Sequence, residues 1–297
     1  MKWLATYIMR GRLEAILLAS TLAMLSLMLA PLSIFSSGAV ALVTLRKGAY
    51  EGFIVLAISS LAAGVLATLI QVPYTFILLY VLVLWLPVWL IAIVLREGRH
   101  ISLAVEIAVL IGIVGVVAYY LFNTDPAAMW KQVMPKMVPP NAPVENVKQM
   151  IDLMAPYMTG IAAAGAVFGM LLGLFLGRWW QSLLYNPGGF KLEFLGLRVQ
   201  PRLGVICVAI VGIAVASSGA VSQIAWNTTI LMFVLYIFIG TAVLHTVFSR
   251  MKIGQFAVPM FYITLLFIPH SLIPVALVGF SDTWLDIRKR TLNQTNA

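Results

Sequence analysis

Long apolar runs recur along the chain, and short polar segments separate them. Six of these runs are close to the ~20 residues that an α-helix needs to cross the roughly 30 Å hydrocarbon core of a bilayer. They cover residues 50–70, 74–95, 101–122, 157–177, 203–219 and 226–248. The pattern therefore predicts six full-length transmembrane helices.

Two further apolar runs are too long for one crossing, and both contain prolines. Residues 13–45 would extend about 50 Å as a single helix, and Pro31 interrupts them. Residues 253–280 contain Pro269 and Pro274. Proline breaks a helix interior because it lacks a backbone donor and clashes with the preceding turn. We predict two Pro-broken hairpins that cross twice or re-enter, and one all-α, polytopic helical membrane domain over residues 1–297 with about 8 to 10 transmembrane segments.

Lysine and arginine residues alternate with the apolar runs. If both hairpins return to the side on which they start, 16 of the 19 lysines and arginines fall on one side of the membrane. The other three, which fall on the opposite side, are Lys131, Lys136 and Lys148. Cytoplasmic loops of membrane proteins carry such an excess of positive charge. We therefore expect a multi-pass protein of the bacterial inner membrane with both termini, the loop 178–202 and the tail 282–297 in the cytoplasm, and the insertion 123–156 outside.

The composition supports this assignment and excludes other classes. The chain is 62% hydrophobic and 10% charged, which is outside the range of soluble domains. The net charge of +9 is explained by orientation in a bilayer, so we expect no nucleic-acid partner and take the lipid bilayer as the surroundings. Cys207 is the single cysteine, and it lacks the neighbours of a metal or redox site.

Sequence motifs of catalysis are missing, so we do not expect an enzyme, a cofactor or a metal centre. Asp282 and Asp286 are the only paired acids on a predicted cytoplasmic segment. They lie one helical turn apart and close to Arg288, Lys289 and Arg290. We expect these acids to pair with the basic tail and not to bind a metal ion.

Small residues recur every fourth position along the run 157–177, as in a glycine zipper. They are Gly165, Gly169, Gly173 and Gly177. Missing side chains allow two helices to approach closely in lipid, where apolar contact alone gives no preference. We predict that this helix is the central packing element, and a sliding surface in a transporter is the functional alternative.

The cytoplasmic loop contains the least generic stretch of the chain. A proline and two glycines predict a tight turn after residue 186, and Phe190, Phe194 and Leu197 then share one face of a short helix. That helix either rests at the headgroups or contacts a partner. The candidate partner loop is Trp179, Trp180, Tyr185, Asn186, Pro187, Gly188, Gly189 and Phe190.

Uncharged polar residues gather at the predicted outer ends of the helices. Such groups form a pocket for a neutral or weakly polar ligand, or they cap helix ends. The candidate pocket residues are Gln71, Tyr74, Gln223, Asn227, Thr228 and His270. The outer insertion 123–156 is predicted to form two amphipathic helices, which lie at the interface or cover a cavity as a lid.

Three motifs carry a resemblance to a known family. They are Gly177-Arg-Trp-Trp-Gln181, Asn186-Pro-Gly-Gly-Phe190 with Glu193-Phe194, and Asp282-Thr-Trp-Leu-Asp-Ile-Arg288. With them the chain resembles the YybS-like family of bacterial membrane proteins, a domain of unknown function, which is distantly similar to the substrate-capture subunits of energy-coupling-factor transporters. In those subunits an alanine stripe on the first helix docks a membrane coupling protein, and Ala15, Ala19 and Ala23 are similar to it. The chain departs from them in its larger number of spans and its long outer insertion.

These observations predict a protein that captures or transports a small molecule, like a transporter substrate-binding subunit. Its expected partners are a small-molecule ligand and either a membrane coupling protein or a second copy of the chain. The alternative is a non-transporting scaffold or assembly factor that acts through its cytoplasmic loops.

Overall fold

The computed structural model describes residues 1–139, 144–249 and 254–289. All regular elements in these ranges are helical. Among the described residues, five helical stretches are long and apolar enough to cross a membrane, and a bent pair of helices adds a sixth if it is counted as one span. They are Ala49–Leu69, Tyr74–Gly98, Ile101–Phe122, Asn146–Tyr185 and Gly219–Phe248. The chain is therefore a helical membrane protein. The basic residues Arg250, Lys252 and Arg290, and the rest of the tail to Ala297, lie outside the described residues.

The helices follow the apolar runs closely. In chain order they are α1 Lys2–Arg10, α2 Arg12–Leu25, α3 Leu32–Lys47, α4 Ala49–Leu69, α5 Tyr74–Tyr80, α6 Leu86–Gly98, α7 Ile101–Phe122, α8 Pro126–Val133, α9 Val144–Met154, α10 Met158–Tyr185, α11 Gly189–Leu195, α12 Pro201–Ala216, α13 Gly219–Phe248, α14 Gly254–Phe267 and α15 Leu272–Leu285. A π-helical turn, Val81–Trp85, joins α5 to α6, and short 3₁₀ turns precede α10 and α15.

Proline divides both of the overlong apolar runs. The first run separates into α2 and α3, and Pro31 stands immediately before α3. In the second run, a 3₁₀ turn begins at Pro269, and the flanking helices are bent by 119°. At 1.5 Å per residue, α2 and α3 extend about 21 and 24 Å. The run 203–219, which the sequence predicts as a full span, forms the 16-residue helix α12 and extends only about 24 Å.

The sequence predicts one domain over residues 1–297. The internal contacts of the chain divide it into two compact units. The first unit contains Met1–Ala108 and Ala166–Leu197, and the second contains Val109–Gly165 and Arg198–Ala297.

In the first unit, α3 is the central helix. Every residue from Ser36 to Leu45 is buried, and α3 contacts α2, α4 and α6. The buried Ser36 hydroxyl donates to the carbonyl oxygen of Ala19 at 2.7 Å and accepts from Trp85 Nε1 at 3.1 Å. Its polar group is thus satisfied inside an apolar core, as burial requires.

In the second unit, α13 is the central helix. Its residues Val234–Val243 are all buried, and it packs against α12 and α15. The contact with α15 is a direct approach of two backbones at Gly240 and Gly279. A Cβ atom on Gly240 would overlap the carbonyl oxygen of Val275, and one on Gly279 would lie 2.6 Å from the backbone nitrogen of Gly240.

The described part of the insertion 123–156 contains two short helices that contact a common apolar cluster. Asp125 caps α8, because its Oδ1 accepts from the backbone N–H of Ala128 at 3.0 Å. Ala127, Met134, Ile151 and Ala155 are buried together. Amphipathic helices are thus present in this insertion, as the sequence predicts.

Candidate functional site

The six residues of the predicted ligand pocket divide between the two units. Gln71 and Tyr74 belong to the first unit, where both side chains are exposed beside the turn between α4 and α5. Gln71 has a positive φ of 58°, a conformation that favours a turn. The other four belong to the second unit. There Thr228 is buried on α13, and His270 is exposed in the 3₁₀ turn before α15.

Asn227 is fully buried and ties four other residues together. Its Nδ2 lies 2.7 Å from the carbonyl oxygen of Gln223, 2.8 Å from that of Pro156 and 3.2 Å from the Tyr120 hydroxyl. The backbone N–H of Gly160 donates to Asn227 Oδ1. We call these five residues the Asn227 cluster. Because two amide hydrogens already face three acceptors, the cluster leaves no Asn227 donor for a ligand.

The Asn227 cluster also depends on a close approach of backbones. A Cβ atom on Gly160 would lie 2.7 Å from Asn227 Cα. The absence of a side chain at Gly160 therefore lets α10 and α13 come near enough for the amide to bridge them. This arrangement indicates that the cluster fastens α7, α10 and α13 within the second unit.

Replacing Asn227 with leucine is expected to lower the free energy of unfolding by about 1–3 kcal/mol, because the Gly160 N–H then stays buried without an acceptor. Thermal and denaturant unfolding in detergent micelles measures the loss. Thr229→Val is the matched control, since the Thr229 hydroxyl donates within its own helix, to the carbonyl oxygen of Ala225. Equal stabilities of the two variants would contradict a fastening role.

The predicted partner loop is largely folded against its own helix. Trp180 is fully buried and its ring lies 6.2 Å from that of Phe35, whereas Trp179 is half-buried. Ser182 holds the turn, since its hydroxyl donates to the carbonyl oxygen of Asn186 at 2.7 Å and accepts from the backbone N–H of Phe190 at 3.2 Å. The turn itself is exposed at Asn186, Pro187 and Gly188, and Gly189 is buried.

Helix α11 turns its aromatic face inward. The rings of Phe190 and Phe194 lie 6.0 and 5.7 Å from the ring of Phe175 on α10, and Leu197 is fully buried. The face predicted to rest on headgroups or on a partner thus packs on the protein. Lys191 and Leu192 are exposed instead.

Charged groups hold the loop in place. Arg178 is paired with Glu193 through its Nε at 2.8 Å. The guanidinium of Arg46 lies 3.9 Å from the ring centre of Tyr185, a cation–π contact. The loop is therefore attached to α3 and α10 by both polar and aromatic contacts.

The glycine stripe on α10 is used unevenly. A Cβ atom on Gly177 would lie 2.6 Å from Ala41 Cβ, and one on Gly173 would overlap the Ser37 hydroxyl. A Cβ atom on Gly169 would meet Leu84 at 3.7 Å, and one on Gly165 would meet nothing within 4 Å. Only the second half of the stripe provides tight packing, and it does so against α3.

The alanine stripe on α2 is also occupied. Ala15, Ala19 and Ala23 are all fully buried in the core of the first unit. A coupling protein could contact these alanines only by displacing neighbouring helices of the same chain.

Asp282 and Asp286, near the end of α15, belong to a candidate binding site that sequence motifs did not indicate. Arg288 donates to Asp282 Oδ2 from Nη2 at 2.8 Å and from Nε at 3.2 Å, and both side chains are at least 96% buried. Asp286 contacts Lys289 Nζ at 2.9 Å and Arg198 Nη2 at 2.8 Å. The predicted pairing with the basic tail is confirmed for Arg288 and Lys289.

A cavity of about 200 Å³ lies beside this ion pair. Residues preceding and opening α12, one residue of α13 and the end of α15 line it. They are Arg198, Val199, Pro201, Ile239, Asp282, Thr283 and Asp286. We call it the Asp282 cavity. Among the residues that the structure describes, no group of three or more His, Cys, Asp or Glu side chains could hold a metal ion.

The pKa of Asp286 is lowered to about 2, first by its hydrogen bond to Lys289 and then by that to Arg198. The stabilisation that comes from a lowered carboxyl pKa is fully present above the pKa of the unfolded state, which is about 4. This stabilisation is lost as the pH falls toward 2. Wild-type thermal stability is therefore expected to contain an acid-sensitive part between pH 4 and 2 that Asp286→Asn lacks. Parallel melting curves for the two proteins over this interval would contradict the assignment.

The fold and the buried charges define a class, a polytopic helical membrane protein with a small, charge-lined cavity. Comparison with protein-family models, with curated proteins and with solved structures finds no match to this chain.

Proposed function

We propose that this chain is a bacterial inner-membrane protein that captures or transports a small molecule, and that the Asp282 cavity is its binding site. The observation that carries the proposal is a buried ion pair beside a cavity at the end of an apolar helix. Burying charged groups in a membrane protein is costly, and such groups typically serve ligand or ion binding. Pockets with a few convergent polar groups on an apolar wall are the usual form of small-molecule sites.

The proposed topology has 8 to 10 crossings with both termini in the cytoplasm. In this topology α2 with α3 and α14 with α15 are the two hairpins, and each either spans twice or re-enters. The distribution of lysine and arginine supports the orientation. The Asp282 cavity then lies near the cytoplasmic face, because residues 198–201 and 282–286 adjoin predicted cytoplasmic segments. This location replaces the outward pocket, whose members Gln223 and Asn227 are engaged in the Asn227 cluster.

The similarity to the YybS-like family and to substrate-capture subunits belongs to the same proposal. It agrees with a small-molecule ligand. Docking of a coupling protein would need a surface other than Ala15, Ala19 and Ala23, since these residues are buried. The exposed turn at Asn186 and the neighbouring Leu192 offer such a surface.

Capture is tested by native mass spectrometry of the protein purified from its membrane. We expect a bound small molecule on the wild-type chain and none on Val199→Trp, which fills the cavity from a segment outside the helices. A Thr229→Val protein serves as control and should retain the ligand. Empty wild-type preparations, together with unchanged uptake and export in a deletion strain, would overturn the function.

The scaffold alternative is favoured by one observation, the exposure of Leu192 and Lys191 on α11. A photo-crosslinker at Leu192 separates the two functions, whereas one at Phe190 would report contacts with the protein's own Phe175. Capture of one defined protein at Leu192, with the same yield from wild-type and Val199→Trp cells, would support the scaffold.

A further inference from the structure

Asp282, which lines the cavity, has one acceptor atom that nothing in the described structure satisfies. Arg288 Nε and Nη2 both donate to Asp282 Oδ2, and Asp282 Oδ1 is buried without a hydrogen-bond partner. The Asp282 side chain is 3% exposed. A buried carboxylate oxygen without a donor is unfavourable, and a group that donates an N–H or O–H would satisfy it.

Each carboxylate at the cavity already has a cationic partner, and three cations contact the two carboxylates. Arg288 neutralises Asp282, and Arg198 and Lys289 both contact Asp286. An added cation at Oδ1 would bring a second positive charge to a carboxylate that already has its counterion. An added anion would approach Asp282 and Asp286. A cation would therefore lose its hydration beside an excess of positive charge, and an anion such as a carboxylate has no hydrogen to donate to Oδ1. A neutral donor meets neither obstacle.

Three of the residues that line the cavity are apolar. Val199, Pro201 and Ile239 form this apolar wall, and Thr283 adds one hydroxyl group to the lining. Gly240 follows the lining residue Ile239 on α13, and its close backbone contact with Gly279 holds α13 against α15. A ligand that fits both walls has a polar end and an apolar end.

We propose that the Asp282 cavity binds a small neutral molecule whose hydroxyl or amide group donates to Asp282 Oδ1 and whose apolar part contacts Val199, Pro201 and Ile239. This inference rests on the proposed function and names its substrate class. Ordered water is the competing occupant, and it would satisfy Oδ1 without using the apolar wall.

A matched ligand series tests the choice of charge. Butyramide, butylammonium and butyrate have the same apolar tail and differ in the charge of the polar end. Ligand-observed NMR titrations use the full chain in lipid nanodiscs, with wild-type, Val199→Trp and Thr229→Val proteins of equal thermal stability. We expect wild-type and Thr229→Val to bind butyramide at least about tenfold more tightly than either charged compound, and Val199→Trp to bind none.

A second variant adds a readout that a purely structural role would not change. Asp282→Asn removes one negative charge from the cavity lining, so the ligand preference should shift from butyramide toward butyrate. An Asp286→Asn protein should shift less, because Asp286 is more exposed than Asp282.

Three results would overturn the inference. If butylammonium binds most tightly and Val199→Trp abolishes its binding, the cavity is a capture site and only the neutral substrate class is wrong. If butyramide binding persists in Val199→Trp, the compound binds elsewhere and the assignment to this cavity fails. If no compound binds, water is the occupant, and a ligand found by native mass spectrometry must then be located at another site.

Discussion

Gly279→Ala is expected to be among the most destabilising single changes in the chain. Its new methyl group would lie 2.6 Å from the backbone nitrogen of Gly240 and would overlap the carbonyl oxygen of Tyr236. Backbone atoms cannot rotate away as side chains do, so α13 and α15 must separate. Overpacking in a core typically costs about 1–3 kcal/mol, and we expect the upper end of this range or more.

Gly212→Ala is the matched control for this change. Gly212 lies on α12 in the same unit, and a Cβ atom there would meet nothing within 4 Å. Because alanine favours a helix over glycine by about 1 kcal/mol, this variant should be as stable as wild type or more so. Denaturant unfolding of both variants in micelles measures the difference, and a Gly279→Ala protein as stable as Gly212→Ala would show that the two helices are not in backbone contact.

Removing one member of the buried ion pair is the second change with a large expected effect. Arg288→Met leaves Asp282 buried without its counterion, which typically costs about 3–5 kcal/mol. Combining it with Asp282→Leu removes both charges, and the double variant should regain much of the lost stability. The measurement is a double-mutant cycle of unfolding free energies.

The cycle separates pairing from simple burial. If the double variant is as unstable as the sum of the two single variants, the two charges do not stabilise each other, and the ion pair cannot be the basis of the site. Arg198→Met provides a comparison, since the more exposed contact of Arg198 with Asp286 should contribute much less.

Sequence patterns located the helices well where the cause is local. Apolar length and proline predicted α4, α7 and the breaks at Pro31 and Pro269, because helix formation and helix breaking depend on neighbouring residues. The pairing of Asp282 with Arg288 could be predicted for the same reason, since the two residues lie within two helical turns of each other in the sequence.

Features that depend on contacts between residues far apart in the sequence could not be predicted from sequence patterns. The two glycines at the contact of α13 and α15 form no stripe in either helix, so nothing in the sequence marks them, whereas the regular stripe on α10 includes Gly165, which touches nothing nearby. Asn227 was interpreted as a pocket residue because polarity alone does not distinguish a free amide from one whose bonds are complete. The burial of Asp282 and its cavity likewise arise from the meeting of α12, α13 and α15.

The position of α3 at the centre of the first unit has a consequence for biogenesis. A short segment that contains Ser33, Ser36, Ser37 and Thr44 gains little from contact with lipid tails. Its buried surface is covered by helices that are synthesised both before and after it, including the second half of α10. We therefore expect α3 to remain beside the insertion machinery during translation and to settle only when later helices emerge from the ribosome.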